Sequence, residues 1–168
     1  MSRCVKALID HIVLGLRGKG VVELHPYKLE DAINGSCEDA YLRRINASTG
    51  AGYNWKGKKD NYIPIVFEDE KSVIREPITD LKKSLVQRTR EYQSEVSSGT
   101  VFGSKLKDEP REISKALAGK TRMFYPAPVD ALILARQVLI PIFTAMVQHR
   151  EIFSTAVGVN MFQEGDIS

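Results

Sequence analysis

Residues 107–122, KDEPREISKALAGKTR, bring Lys107, Arg111, Lys115, Lys120 and Arg122 into one short run. Upstream, TVFGSKLKDE (100–109) has extended character; downstream, KTRMFY (120–125) looks like a second strand, and Pro110 and Gly119 lie in the linker. The sequence therefore predicts two antiparallel strands with an irregular excursion between them. The strand period of two puts Lys120 and Arg122 on one side, and Lys107 and Arg111 reach the same groove from the other limb. Converging cations repel one another unless an anion occupies the space, so this pattern points to a phosphate-bearing ligand. Guanidinium groups at Arg111 and Arg122 suit two-pronged grip of phosphate, with Lys115 and Lys120 as point charges. The competing reading has the same cations splayed into solvent and partly paired with Asp108, Glu109 and Glu112.

AGKT (118–121) does not complete a phosphate-binding P-loop. Ser114 stands where the first glycine is needed, and RMFYPAP (122–128) is strand-like and proline-broken where a helix should start. GLRGKG (15–20) lacks the dinucleotide-binding glycine order and is predicted to be a loop. Cys4, Cys37, His11, His25 and His149 have no metal-ligand spacing and form no disulfide framework. The sequons at Asn34 and Asn46 accompany no secretory signal and are read as chance.

A hydrophobic fraction of 43% and a formal charge of +3 describe one globular domain, or a piece of a larger one, that is only mildly basic. Residues 4–16 carry the spacing of a helix with a core face, and residues 28–44 form two short helical or turn segments divided at Asn34-Gly35. From Pro77 to Val96 an amphipathic helix is predicted, with Ile78, Leu81, Leu85, Tyr92 and Val96 inward and Lys82, Lys83, Arg88 and Arg90 solvated. Thr79 or Asp80 would cap its start, and Ser97-Ser98-Gly99 would end it. The most apolar stretch, 129–148, contains Arg136, Gln137 and Pro141, which fit a buried helix better than a bilayer span; Asp130 would cap it and Pro141 would kink or split it. The tail from Thr155 is expected to form a turn or short strand and then fray.

In NASTGAGYNWKGKKDNY (46–62), small residues from Ser48 to Gly52 permit close backbone approach, and Tyr53 and Trp55 alternate with Lys56, Lys58 and Lys59. Aromatics interleaved with cations suit single-stranded nucleic acid; a solvated surface turn is the plainer reading.

LKDEPREISKALAGKTRMF (106–124) resembles motif F of the RNA-directed RNA polymerases of picorna-like positive-strand RNA viruses, whose pattern is KDE-x-R, a spaced lysine and GK(S/T)R. Two more blocks occur in the family's order. STGAGYNWKGKKD (48–60) is similar to the upstream TSAGYPW block, and FSTAVGVN (153–160) to the SAVG block. YKLEDAINGS (27–36) is similar to a segment of dicistrovirus-like and marine relatives, so the resemblance spans about residues 25–160.

The resemblance implies an α+β fold: the fingers part of a right-hand polymerase, helices with a basic β-hairpin, palm catalytic motifs absent. It divides the chain into an N-terminal helix with a glycine-rich loop (1–24) and a fingers fragment (25–168). Motif F would place Arg111, Lys115, Lys120 and Arg122 on the incoming nucleoside triphosphate and Lys107 near RNA. Ser48, Gly52, Tyr53, Lys58, Lys59, Val157 and Gly158 would lie along the template path. Mg²⁺ is expected in the complete enzyme with its carboxylate ligands outside this chain, since EGDIS offers only Asp166. The implied partners are template RNA, nucleoside triphosphates and the remaining palm and thumb, with no transmembrane segment. The implied location is the host-cell cytoplasm, in a membrane-associated replication complex. The chain alone is expected to be inactive; the alternative is an autonomous single-stranded RNA-binding module built on Tyr53 and Trp55. The family's proline after Gly-Tyr is Asn54 here, and Pro110 precedes Arg111.

Overall fold

A computed structural model describes residues 3–21, 23–96, 99–107, 109–110, 112–120 and 122–155. The helices are α1 (Arg3–Gly18), α2 (Leu29–Asn34), α3 (Thr79–Gln93), α4 (Ile113–Leu117), α5 (Val129–Gln148) and α6 (Arg150–Phe153). Two antiparallel hairpins accompany them: β1 (Ile65–Glu68) with β2 (Val73–Arg75), and β3 (Lys105–Leu106) with β4 (Met123–Phe124). The mixed α+β architecture and the antiparallel pairing around residues 107–122 agree with the sequence reading.

The core forms where α2, α3 and α5 meet. Leu81 and Leu85 of α3 and Val129 and Ile133 of α5 lie four residues apart on one face of their helices, and all four are buried. Ala32 and Ile33 of α2 join them, with Ile45, Ala47, Ala51 and Ile63 from the connecting segments. Into this apolar centre the α3–α5 contact admits one charge. Asp130 is 2% exposed; its Oδ2 accepts from Arg88 Nε at 2.6 Å and Ser84 Oγ at 2.7 Å, while Oδ1 accepts from Ala131 N–H at 2.8 Å. The expected caps are therefore corrected. Asp130 lies inside the first turn with Pro128 at the N-cap, and Ile78 precedes α3 without a side-chain cap bond. Arg88 leaves the solvated face because a buried carboxylate requires a partner.

The polar residues of α5 tie down residues 27–44. Arg136 Nε donates to Ala32 O at 2.7 Å and its Nη2 donates to Arg43 O, satisfying carbonyls at and beyond the end of α2. Asp39 accepts from Thr144 Oγ1 at 2.6 Å and from the Tyr27 hydroxyl. Burial, then the hydrogen bond to Asp39, pushes the Tyr27 phenol up to about 12. Pro141 does not split the helix, which is continuous from Val129 to Gln148. Proline cannot donate to the carbonyl four residues earlier, and that carbonyl, Gln137 O, accepts from Tyr27 N–H at 2.9 Å instead. Gln137 Nε2 returns a bond to Tyr27 O at 2.9 Å. By length and composition α5 could cross a membrane, but its inner face is core and its outer face exposes Val138, Leu139, Ile142 and Phe143.

Three further expectations change. α1 runs through Gly15 and Gly18, taking up most of the predicted loop, and its apolar face is exposed at Val5, Leu8, Ile9 and Val13. Only Leu16 of α1 is buried, where the helix packs close to α6: a Cβ on Gly15 would sit 2.7 Å from Ile152 Cγ2. α3 stops at Gln93, short of Val96, and both Tyr92 and Val96 are exposed rather than in the core. The region from residue 156 onward, including the expected tail strand, lies outside the described residues.

Burial acts to raise the Asp130 pKa, but hydrogen bonds from Ser84 and Arg88 outweigh it and hold the carboxyl below its usual range. A carboxylate lowered on folding contributes stability that is complete above its unfolded pKa of about 3.9 and is lost as pH falls through the folded value. Urea denaturation should therefore show a level midpoint near neutral pH and a decline below about pH 4. Asp130→Asn should cost about 3–5 kcal/mol at neutral pH by stranding Arg88, and should make the acid decline shallower. An acid limb as steep as wild type's would contradict this role.

Candidate nucleic-acid interface

The basic hairpin is short. Lys105 pairs with Phe124 and Leu106 with Met123, and Lys107 N–H then donates to Arg122 O at 2.9 Å. Between the limbs the excursion is not irregular but contains the helical turn α4, whose Ile113 and Leu117 are exposed. A reverse turn from Ala116 to Gly119, with Gly119 at φ +66°, and the Lys120 N–H to Lys115 O bond of 3.0 Å bring the chain back.

This path brings two of the expected cations, Lys107 and Arg122, to one carboxylate. Glu109 Oε1 accepts from Arg122 Nε at 3.0 Å and Nη2 at 2.9 Å, and its Oε2 lies 3.0 Å from Lys107 Nζ. Lys115 pairs with Glu112 at 3.0 Å. Glu109, Pro110, Glu112, Lys115 and Arg122 line a concavity of about 550 Å³. Of the predicted cations, Lys115 and Arg122 line this concavity, and Lys107, Lys115 and Arg122 pair with Glu109 and Glu112 as in the competing reading, with Glu109 standing between Lys107 and Arg122. Arg122 and Lys115 are more than half exposed, and ion pairs so open to water contribute at most about 1 kcal/mol. Lys120 is exposed on the same loop. Arg111 lies outside the described residues, as do Val157 and Gly158.

The small-residue block is folded onto the start of α5. Ala51 N–H donates to Gly57 O at 2.9 Å, and Ala51 O accepts from Val129 N–H at 2.8 Å. Gly52 has φ +93°, and a Cβ there would fall 2.6 Å from Pro128 Cα, so close approach fixes its identity. Asn54 takes φ +69°, open to asparagine but closed to the proline of the family pattern. Ser48, Tyr53 and Lys58 are exposed, with Ser48 Oγ donating to Asn46 Oδ1 at 2.7 Å.

Lys59 departs from the expected outward, RNA-facing position. It is buried, and its Nζ donates to Thr49 Oγ1 at 2.5 Å and Gly50 O at 2.9 Å, which holds the loop closed; burial lowers its pKa. Trp55, half-buried against the core, makes a T-shaped contact with Tyr62, ring centroids 4.8 Å apart. Composition could not separate Lys58 from Lys59.

The first limb of the hairpin runs beside this block. A Cβ on Gly103 would meet Tyr53 Cβ at 3.9 Å, and one on Gly50 would lie 3.6 Å from Lys105 Nζ. Lys105, two residues from Lys107 and so on the same side of the strand, is thus the basic residue of this limb that lies beside the small-residue block.

Residues 21–166 match the family model described as viral RNA-dependent RNA polymerase. The chain belongs to that polymerase family. This viral polymerase chain is 31% identical over 138 residues to the replicase polyprotein of Drosophila C virus, covering 79% of the chain and 8% of the relative. It is 25% identical over 146 residues to the replicase polyprotein of cricket paralysis virus, again 79% of the chain and 8% of the relative. Among solved structures, a sicinivirus RNA-dependent RNA polymerase superposes with a TM-score of 0.61 at 25% identity, covering 91% of this chain and 30% of that one. The polymerase chain described here thus corresponds to under a third of that structure's length, and the picorna-like affinity and the right-hand-polymerase fold of the sequence reading both hold.

Because Lys59 is a loop closure and Lys58 is exposed, Lys59→Ala should lower stability by about 1–3 kcal/mol, and Lys58→Ala should stay within about 0.5 kcal/mol of wild type. Chemical denaturation of the two variants checks this; equal stabilities would refute the assignment.

Proposed function

We propose that this chain is the part of a viral RNA-directed RNA polymerase that guides template RNA and receives the incoming nucleoside triphosphate. The observation that carries the reading is the concavity shared by Arg122 and Lys115, where Glu109 holds Arg122 and Lys107 in place. An arriving triphosphate displaces the Glu109 carboxylate from Arg122, whose planar fork then grips phosphate oxygens while Lys115 and Lys120 add point charge. Arg111 takes part on the strength of the family pattern. Cations placed in advance stabilise the charge that spreads over phosphate oxygens during nucleotidyl transfer, and holding the triphosphate in line supplies much of the remaining acceleration. Lys107, Ser48, Gly52, Tyr53 and Lys58 line the adjoining RNA path, with Val157 and Gly158 assigned there from the family pattern; Lys59 shapes that path from within.

Polymerases of this family generally use divalent metal. Among the described residues no group of three or more His, Cys, Asp or Glu could hold an ion, so the described residues do not fit a Mg²⁺ site. The palm and thumb are the proposed partners. They would cover the exposed apolar side chains of α1 (Val5, Leu8, Ile9) and α5 (Val138, Leu139, Ile142, Phe143). Without them the chain is proposed to be inactive. Its place is proposed to be the host-cell cytoplasm, within a membrane-associated replication complex.

Primer extension by a polymerase that contains this segment tests the reading. Arg122→Ala should raise the nucleotide KM by roughly tenfold or more, as loss of a charge-assisted phosphate contact requires. Binding of single-stranded RNA should weaken with salt at a log-log slope of about −0.7 per phosphate neutralised. An unchanged nucleotide KM would overturn the assignment.

A further inference from the structure

The basic hairpin cannot hold its own position. Its ladder has two residue pairs, and Lys105, Leu106, Met123 and Phe124 are all exposed, so neither face packs on a core. A two-stranded ribbon of this kind is marginal in water unless its roots are fixed. Both roots meet α3.

On one face of α3, Ser84, Arg88 and Tyr92 follow at intervals of four residues. Arg88, whose side chain is 13% exposed, sends Nε to Asp130 Oδ2 at 2.6 Å and Nη1 to Thr100 Oγ1 at 2.7 Å. Thr100 lies five residues before the start of β3 at Lys105, and Asp130, in the first turn of α5, lies six residues after the end of β4 at Phe124. Ser84 Oγ supports the Asp130 end at 2.7 Å, and the Tyr92 hydroxyl stands 3.5 Å from Thr100 Oγ1.

We propose that Arg88 is a positioning residue that clasps the two roots of the basic hairpin and thereby fixes the spacing of the cations at its tip. A guanidinium suits this task because its donors diverge in one rigid plane and can hold two acceptors from different segments at once; an ammonium on a flexible stem fixes neither direction. The consequence for nucleotide binding rests on the function proposed above. The clasp itself does not.

Thr100 offers the cleanest test, because removing its hydroxyl spares the Arg88–Asp130 pair on which folding depends. In the 168-residue chain, amide hydrogen exchange should be read at residues 101–107 and 122–125 and at the α5 core. Thr100→Val should accelerate exchange in the hairpin by about tenfold while core amides and the melting temperature hold, and Thr100→Ser should restore wild-type exchange. Arg88→Lys should loosen the hairpin similarly, and adding Thr100→Val to it should loosen the hairpin no further. ATP affinity, measured on the same proteins, should fall about fivefold to tenfold in Thr100→Val and recover in Thr100→Ser. Hairpin exchange unchanged in a folded Thr100→Val protein would overturn the clasp. Accelerated exchange with ATP affinity unchanged, or with no ATP binding even in wild type, would uphold the clasp and overturn the nucleotide site.

Discussion

Asp130 enters the protein's interior as a carboxylate, and the arrangement of α3, α5 and the basic hairpin follows from the partners it finds there. Ser84 and Arg88 reach it from α3, and its own first turn adds a backbone N–H, so the charge is fully bonded where water cannot serve it. That contact presses the Leu81–Leu85 and Val129–Ile133 rows together and closes the core. It also places the start of α5 where Ala51 O can accept from Val129 N–H, which brings the small-residue block up beside the hairpin. A buried ion pair between two helices thus lies beneath the two surface loops proposed to bind nucleotide and RNA.

The second organising device is α5, whose polar residues look like interruptions of an apolar helix and act as fasteners. Arg136 and Gln137 bond main-chain carbonyls of residues 27–43, and Thr144 bonds Asp39. Pro141 frees the Gln137 carbonyl, and Tyr27 N–H uses it. Each polar departure from the helix pattern answers an unsatisfied group in the segment that wraps it. The same segment, α2 and its extension, is one that the family resemblance covers.

Much of this was legible in the sequence, and the reasons for the exceptions are physical. The hairpin could be read because strand-like residues flank a cationic loop, and the Pro77–Val96 helix because Leu81 and Leu85 recur at helical spacing. What periodicity cannot show is which polar residue turns inward. Arg88 and Arg90 look alike in the sequence, as do Lys58 and Lys59, yet Arg88 and Lys59 are the members that find buried acceptors. Asp130 was legible as a helix-start residue, but its partner forty-two positions away on α3 was not. The cations of the hairpin were identified from charge density and family pattern; that Glu109 would stand between Lys107 and Arg122 depended on how α4 folds the loop back.

Arg122 and Lys115 share a concavity, and phosphate is proposed to replace the Glu109 carboxylate there. The most direct measurement is to follow the Arg122 Nε–H resonance by nuclear magnetic resonance while inorganic tripolyphosphate is added to the chain. This resonance and that of Lys115 Nζ should shift together and saturate at one concentration, while the exposed Lys71 should not follow them. An Arg122 resonance that stays in place, or one that moves no more than Lys71 does, would contradict it.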